Sequence, residues 1–317
     1  MRPASLPAFD ELTETQRGIV SRKQAIACGL TPDAIDWLIM SGRWQSLRRG
    51  VYAAFTGELT REAVLWAALH RAGTGAVLSH QTAAALFKIT DKQSSLVHVT
   101  IPTSRRVVGC DGMVVHRSAR LAETRHPSLL PPRTRIEETV LDLIAQAATF
   151  DAAFATACAA CQRRLTTPSR LATAMTRRKK LRWRTELKVA LAEISSGVHS
   201  LLEYKYVHYV ERPHGLPQAT RQARIAREGR NSFLDNLYDE YGLCVELDGK
   251  EAHPDDQRWL DIRRANAVAA SGITTLRYGW SDIDRRPCRT SAQVAAVLRT
   301  RGWPGTLCRC GPGCRIP

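Results

Sequence analysis

The chain has 317 residues, 44% of them hydrophobic and 24% charged, a balance that supports buried cores and excludes wholesale disorder. Its net charge of +16, with arginine well in excess of lysine, favours polyanionic partners, because each cation set against a phosphate releases condensed counterions. No apolar run of bilayer-spanning or signal-peptide length occurs, so a cytoplasmic protein of two or more domains, with no membrane partner, is expected.

Residues 9–53 read as three short helices and a small hairpin. Ser21 is placed to cap a helix Arg22–Cys28 that stops at Gly29. Thr31 caps the next helix, with Pro32 at its first position and Asp33 near the positive dipole end. Ala34, Ile35, Leu38 and Ile39 form its inner face, and Ser41-Gly42 ends it. Two short strands, Trp44–Leu47 and Gly50–Ala53, flank Arg48 and Arg49. Helix, turn, helix and basic hairpin together make a winged helix-turn-helix domain over residues 1–60. The segment resembles the N-terminal domain of AbiEi-type antitoxins in Gly29-Leu30-Thr31 with Ile35, in Ser41-Gly42-Arg43-Trp44 and in Arg49-Gly50-Val51-Tyr52. That resemblance implies DNA binding with the second helix in the major groove, which turns Thr31, Asp33, Asp36, Trp37 and Arg43 toward DNA. Asp33 and Asp36 are poor phosphate neighbours, which leaves a surface for a cognate toxin protein as the other reading.

Residues 61–145 read as an α+β region. Helices are expected at Arg61–Arg71 and Ser79–Leu86, and strands at Leu96–Ile101 and Met113–His116. His80, His98 and His116 form a conceivable cluster, but histidines at helix starts and on strands are ordinarily structural, and are read so here. Thr134–Leu143 resembles the segment that closes the antitoxin-like half of multidomain relatives. Residues 146–195 are expected to be a helical basic linker. Cys158 and Cys161 lie in its alanine-rich helical pattern without a second pair at zinc spacing. Its run Arg177, Arg178, Lys179, Lys180, Arg182 and Arg184, with Trp183 inside it, is either a solvated face or a phosphate track. With Arg43, Arg48 and Arg49 these residues are the candidate nucleic-acid contacts.

From 196 to 305 the order is helix (Ser200–Glu211), strands at about 221–227, 232–238 and 243–248, a helix from about 256 to 271, a strand at 273–277 and a last helix from Ser291. The natural packing is an α/β/α sandwich with a mixed sheet, so the fold class expected is multidomain α/β. The tail at 306–317 carries Cys308, Cys310 and Cys314. It would bind zinc if Cys288 supplied a fourth ligand, but the spacing matches no zinc module, so a disordered tail is expected.

Glu246 and Asp248 lie two apart on one strand and therefore project from the same face. Asp235 lies eleven residues earlier, a spacing that suits the neighbouring strand of a hairpin. Carboxylates converging from adjacent strands suit a hard cation such as Mg²⁺, with Mn²⁺ as an alternative. Phosphodiester cleavage needs such an ion to activate water and neutralise the transition state, and a proton donor or acceptor such as His253. Residues 196–283 resemble the very-short-patch-repair-type branch of the PD-(D/E)XK nucleases. The resemblance rests on Ser200-Leu-Leu-Glu203, Gly215-Leu-Pro217, Asp235, Val245-Glu246-Leu-Asp248-Gly249, His253, Asp261-Ile-Arg263-Arg264 and Leu276-Arg277-Tyr278. It implies a restriction-endonuclease-like fold, with Asp235 and Glu246 as metal ligands, Glu203 assisting and His253 near the scissile phosphate. Asp248-Gly-Lys250 restores the superfamily's lysine only if Gly249 does not turn Lys250 away; the histidine-using reading is preferred. Asp261 and Arg264 read as a scaffold ion pair. The expectation is a Mg²⁺-dependent DNA endonuclease joined to a winged helix; the alternative is a DNA-binding regulator or antitoxin whose nuclease-like domain does not cut.

Overall fold

The computed structural model describes residues 7–91, 94–107, 112–227, 230–248 and 266–316. The chain divides into two units, Met1–Ala147 with Arg163–Arg182, and Ala148–Gln162 with Trp183–Pro317. The stretch 146–195 is thus not a free linker, since its helices are shared out between two packed bodies.

The first unit opens with α1 (Pro7–Thr15), β1 (Ile19–Ser21), α2 (Arg22–Ala27), α3 (Pro32–Met40), β2 (Gln45–Arg48) and β3 (Val51–Ala53). Ser21 caps α2 in a reciprocal box with Gln24, which satisfies amides that a short helix otherwise leaves bare. Thr31 caps α3 by accepting from the Ala34 amide, with Pro32 in the first turn. The strands form a sheet in the order β1-β3-β2, and β1 is an element the sequence pattern did not announce. Ile35 and Leu38 drop from α3 onto Val20, Ala25, Leu30, Trp44 and Tyr52, and Phe9 stacks on Trp44 with ring centroids 5.6 Å apart.

The same unit continues through α4 (Arg61–Ala72), β4 (Val77–Leu78), α5 (His80–Leu86), β5 (Val97–Pro102), β6 (Met113–Ser118) and α6 (Leu121–Thr124). It closes with α7 (Ile136–Gln146) and α9 (Pro168–Thr176); α8 (Phe150–Gln162) belongs to the second unit. The two strands expected at 95–117 pair in parallel, and β4 runs antiparallel to β5. Trp66 and Leu69 of α4 bury against Ile19, Val51, Val99 and Ile101, so the winged helix and the middle region share one core.

The second unit contains α8, α10 (Arg184–Ser195) and α11 (Leu201–Lys205), which runs on into a π-helical stretch Tyr206–Glu211 and a 3₁₀ turn Arg212–His214. Its strands are β7 (Thr220–Arg227), β8 (Arg230–Tyr238), β9 (Leu243–Asp248) and β10 (Thr274–Gly279), followed by α12 (Trp280–Asp284) and α13 (Pro287–Thr300). The sheet order is β10-β9-β8-β7, parallel between β9 and β10 and antiparallel elsewhere, which is the mixed sheet expected. Alternation along β9 sorts its faces: Leu243 and Val245 pack with Leu202, Tyr206 and Val294, while Cys244 packs with Leu234, Leu237 and Val268. The expected helix over 256–271 falls largely outside the described residues, although residues 266–270 are helical and stop at Gly272.

The tail corrects an expectation. Residues 304–316 form neither helix nor strand, yet they are fastened to the unit: the Cys308 amide donates to the His214 carbonyl at 2.9 Å, and Ile316 is buried. Spacing alone suggests a disordered end, because the residue that anchors it lies far upstream. No helix among the described residues is long and apolar enough to cross a membrane.

Candidate functional site

The winged helix presents its second helix outward as the sequence implied. Trp37 and Met40 are exposed on α3, and the Arg43 guanidinium lies 4.8 Å from the Trp37 ring centroid. Stacking on an aromatic face holds an arginine while leaving its edge available for hydrogen bonds. Asp33 is exposed, but Asp36 is engaged: Arg22 donates to its two carboxylate oxygens at 2.6 and 3.0 Å and to the Tyr52 hydroxyl at 3.3 Å. That pairing depresses the Asp36 carboxyl and sets a cation against its charge. Arg22 carried no sequence signal for this role, since its partner is fourteen residues away on another helix. Arg48 and Arg49 are exposed where β2 turns into β3, and Gly50 takes the positive φ of 74° that closes the turn.

The basic run divides by environment. Arg177, Lys179 and Lys180 are exposed and line a cavity of about 890 Å³ in the first unit, together with Arg117 and His116. Arg178 departs from the phosphate-tracking assignment: it donates to Glu138 at 2.6 and 2.9 Å and to Asp142 at 2.8 Å, with only 15% of its side chain exposed. Two partly desolvated carboxylates consume its charge, so Arg178 braces α7. Arg182 is exposed at the end of the first unit, and Arg184 opens α10 in the second.

The three histidines do converge. The His80 and His116 rings stack 3.6 Å apart, and His98 Nδ1 lies 3.0 Å from His116 Nε2. His80 Nδ1 pairs with the Ser79 hydroxyl at 2.9 Å. Burial, the leading cause, pushes His80 and His116 down to about 4. The cluster that the sequence made only conceivable is therefore formed, with one ring nitrogen from each histidine within 4.8 Å of the others.

In the second unit, the β8–β9 ladder ends at the pair Asn236–Val245. Just past that end, Asp235 Oδ2 accepts the Leu247 amide at 3.0 Å in place of a backbone carbonyl, and Oδ1 accepts from Gln222 at 3.3 Å. Glu246 is buried and paired with Arg277 at 2.9 Å, its register neighbour on β10. Glu203 is buried in α11, where its carboxylate accepts the His199 amide at 2.9 Å and its amide donates to the Ser200 cap. Burial raises the Glu203 carboxyl, and the charge of Asp235 adds to that rise. The fold therefore brings Glu203 and Asp235 into one electrostatic neighbourhood and sets Asp235 against the backbone beside Glu246. Asp248 is exposed at the end of β9; Lys250 and His253 lie outside the described residues, as do Asp261 and Arg264. No three of these carboxylates bring ligand oxygens within 4.8 Å of one another among the described residues. Arg277, a fixed cation beside Glu246, was missed, because only the parallel pairing of β10 puts it there.

Residues 9–54 match a family described as "Transcriptional regulator, AbiEi antitoxin". No curated protein matches the chain. Among solved structures, the chain is similar to the RV2827C protein from Mycobacterium tuberculosis at 17% identity and a TM-score of 0.39, over 60% of this chain and 78% of that one.

Proposed function

We propose that this protein is a DNA-binding regulator of antitoxin type that reads DNA through α3 and grips the backbone through the wing. The observation that carries this reading is the family match over residues 9–54, on a segment folded as α2, α3 and a three-stranded wing. In this reading Trp37 and the stacked Arg43 face the major groove, and Arg48 and Arg49 contact phosphate. Arg177, Lys179 and Lys180 supply further cations on the same unit. A gel shift against the DNA upstream of its own gene tests the idea. An Arg43→Ala/Arg49→Ala variant should bind about tenfold more weakly, with a salt slope shallower by roughly 1–2. Retardation that is equally strong for wild type and variant removes the assignment. Co-purification with the product of an adjacent toxin gene tests the antitoxin half.

A second reading, metal-dependent phosphodiester cleavage, draws on the Asp235 carboxylate, which accepts the Leu247 amide next to Glu246, and on the burial of Glu203 and Glu246. Mg²⁺ or Mn²⁺ would be held by Asp235 and Glu246, with Asp248 at the rim. Plasmid nicking that needs the ion and disappears in Asp235→Ala and Glu246→Ala supports it; nicking that survives both substitutions sinks it.

A further inference from the structure

His214 is fully buried, and its ring is used on one side only. Nδ1 lies 2.9 Å from the Val210 carbonyl, which makes that nitrogen the proton-bearing donor. Nε2 is buried with no hydrogen-bond partner among the described residues, an orphan that a folded interior rarely tolerates. Three thiols converge on the same spot. Cys288 comes from the first turn of α13, and Cys310 and Cys314 come from the ends of the Cys-Gly-Pro-Gly-Cys loop in the tail. One ligand atom from each of the four residues lies within 4.8 Å of all the others.

The spacing distinguishes a metal site from a disulfide. Cys288 Sγ is 3.7 Å from Cys310 Sγ and 3.7 Å from Cys314 Sγ. Tetrahedral zinc with Zn–S bonds of ~2.3 Å sets its sulfurs about 3.8 Å apart. A disulfide needs about 2.05 Å. The donor set, three sulfurs and one imidazole whose other nitrogen is oriented by a backbone carbonyl, is that of a closed structural zinc centre.

We propose that His214, Cys288, Cys310 and Cys314 bind one zinc ion, which staples the tail to the turn after α11 and to the start of α13. The proposal explains why an irregular segment without strand or helix is ordered at all. Backbone hydrogen bonds such as Cys308 to His214 position the strap, and the ion supplies the free energy that so little apolar burial does not. The site has four protein ligands and no open position, so its role is structural. Each thiol releases its proton on binding, so affinity falls in acid. Cys308, exposed and outside the ligand set, is the natural control.

The test uses the full-length protein, purified under reducing conditions without chelator and then incubated with zinc chloride. Elemental analysis after gel filtration should give about one zinc per chain. Cys308→Ser should keep that ion, whereas His214→Gln and Cys288→Ser/Cys314→Ser should hold at least about tenfold less under competition by a chelator. Because those variants could unfold, the wild type is also exchanged with cobalt, whose visible bands should be those of a tetrahedral centre with three thiolates. Absence of stoichiometric zinc in the reduced wild type overturns the proposal. So do an octahedral cobalt spectrum, full zinc retention by the double variant, or a Cys288–Cys310 or Cys288–Cys314 disulfide that persists in reducing buffer.

Discussion

Asp36 occupies the middle of a helix proposed to meet a polyanion, and what makes this tolerable is one partner, Arg22, that holds both of its carboxylate oxygens. Neighbours of this kind decide single-residue roles throughout the chain. Arg178 sits in a run of cations yet braces two carboxylates, while Lys179 and Lys180 beside it stay exposed. Histidine gives the sharpest contrast. His98 and His116 pair with each other, whereas His214 Nε2 is buried with no partner among the described residues and faces three thiols. The stack also has a pH signature. Burial keeps His80 and His116 near 4, below their ordinary 6.5, so the unfolded chain takes up more protons between those values. Their contribution to stability is complete above about pH 6.5 and is lost as pH falls toward 4. His116→Gln should flatten this acid dependence of the urea midpoint between about pH 7 and about pH 4.5. An unchanged slope means that the stack is solvated.

At the scale of elements, the helices of the winged domain follow from local chemistry. Ser21 with Gln24, and Thr31 with Pro32, mark their starts in the sequence and cap them in the fold. Thr31→Ala should cost about 1 kcal/mol of stability, read as a lower urea midpoint at constant m-value. No shift in the midpoint means that water replaces the hydroxyl without cost. Strands were legible less evenly. The three residues of β1 become a strand only because Val51–Ala53 lie alongside, and nothing within Ile19–Ser21 announces that pairing. The end of the β8–β9 ladder is likewise a property of two strands. Asp235 reaches the Leu247 amide because backbone pairing has stopped, which its own sequence context does not state.

For the whole molecule, two units with separate cores carry the two groups of candidate residues. The winged helix and the basic cavity belong to the first, and the carboxylates and the Cys/His cluster to the second. DNA affinity and metal content should therefore separate. Asp235→Ala and Cys288→Ser should change the dissociation constant for DNA by less than about twofold, and Arg43→Ala/Arg49→Ala should leave zinc at about one per chain. Loss of DNA binding in a folded Cys288→Ser protein contradicts that division. The sequence by itself determined the winged helix, the α/β class and where the strands of the second unit lie along the chain, because caps, glycine stops and hydrophobic alternation act over a few residues. Tertiary structure alone decided that Arg277 sits beside Glu246 and that His214, rather than Cys308, joins Cys288, Cys310 and Cys314. The physical reason is that these groupings form by long-range chain closure, which brings side chains within a few ångströms whatever their separation along the chain.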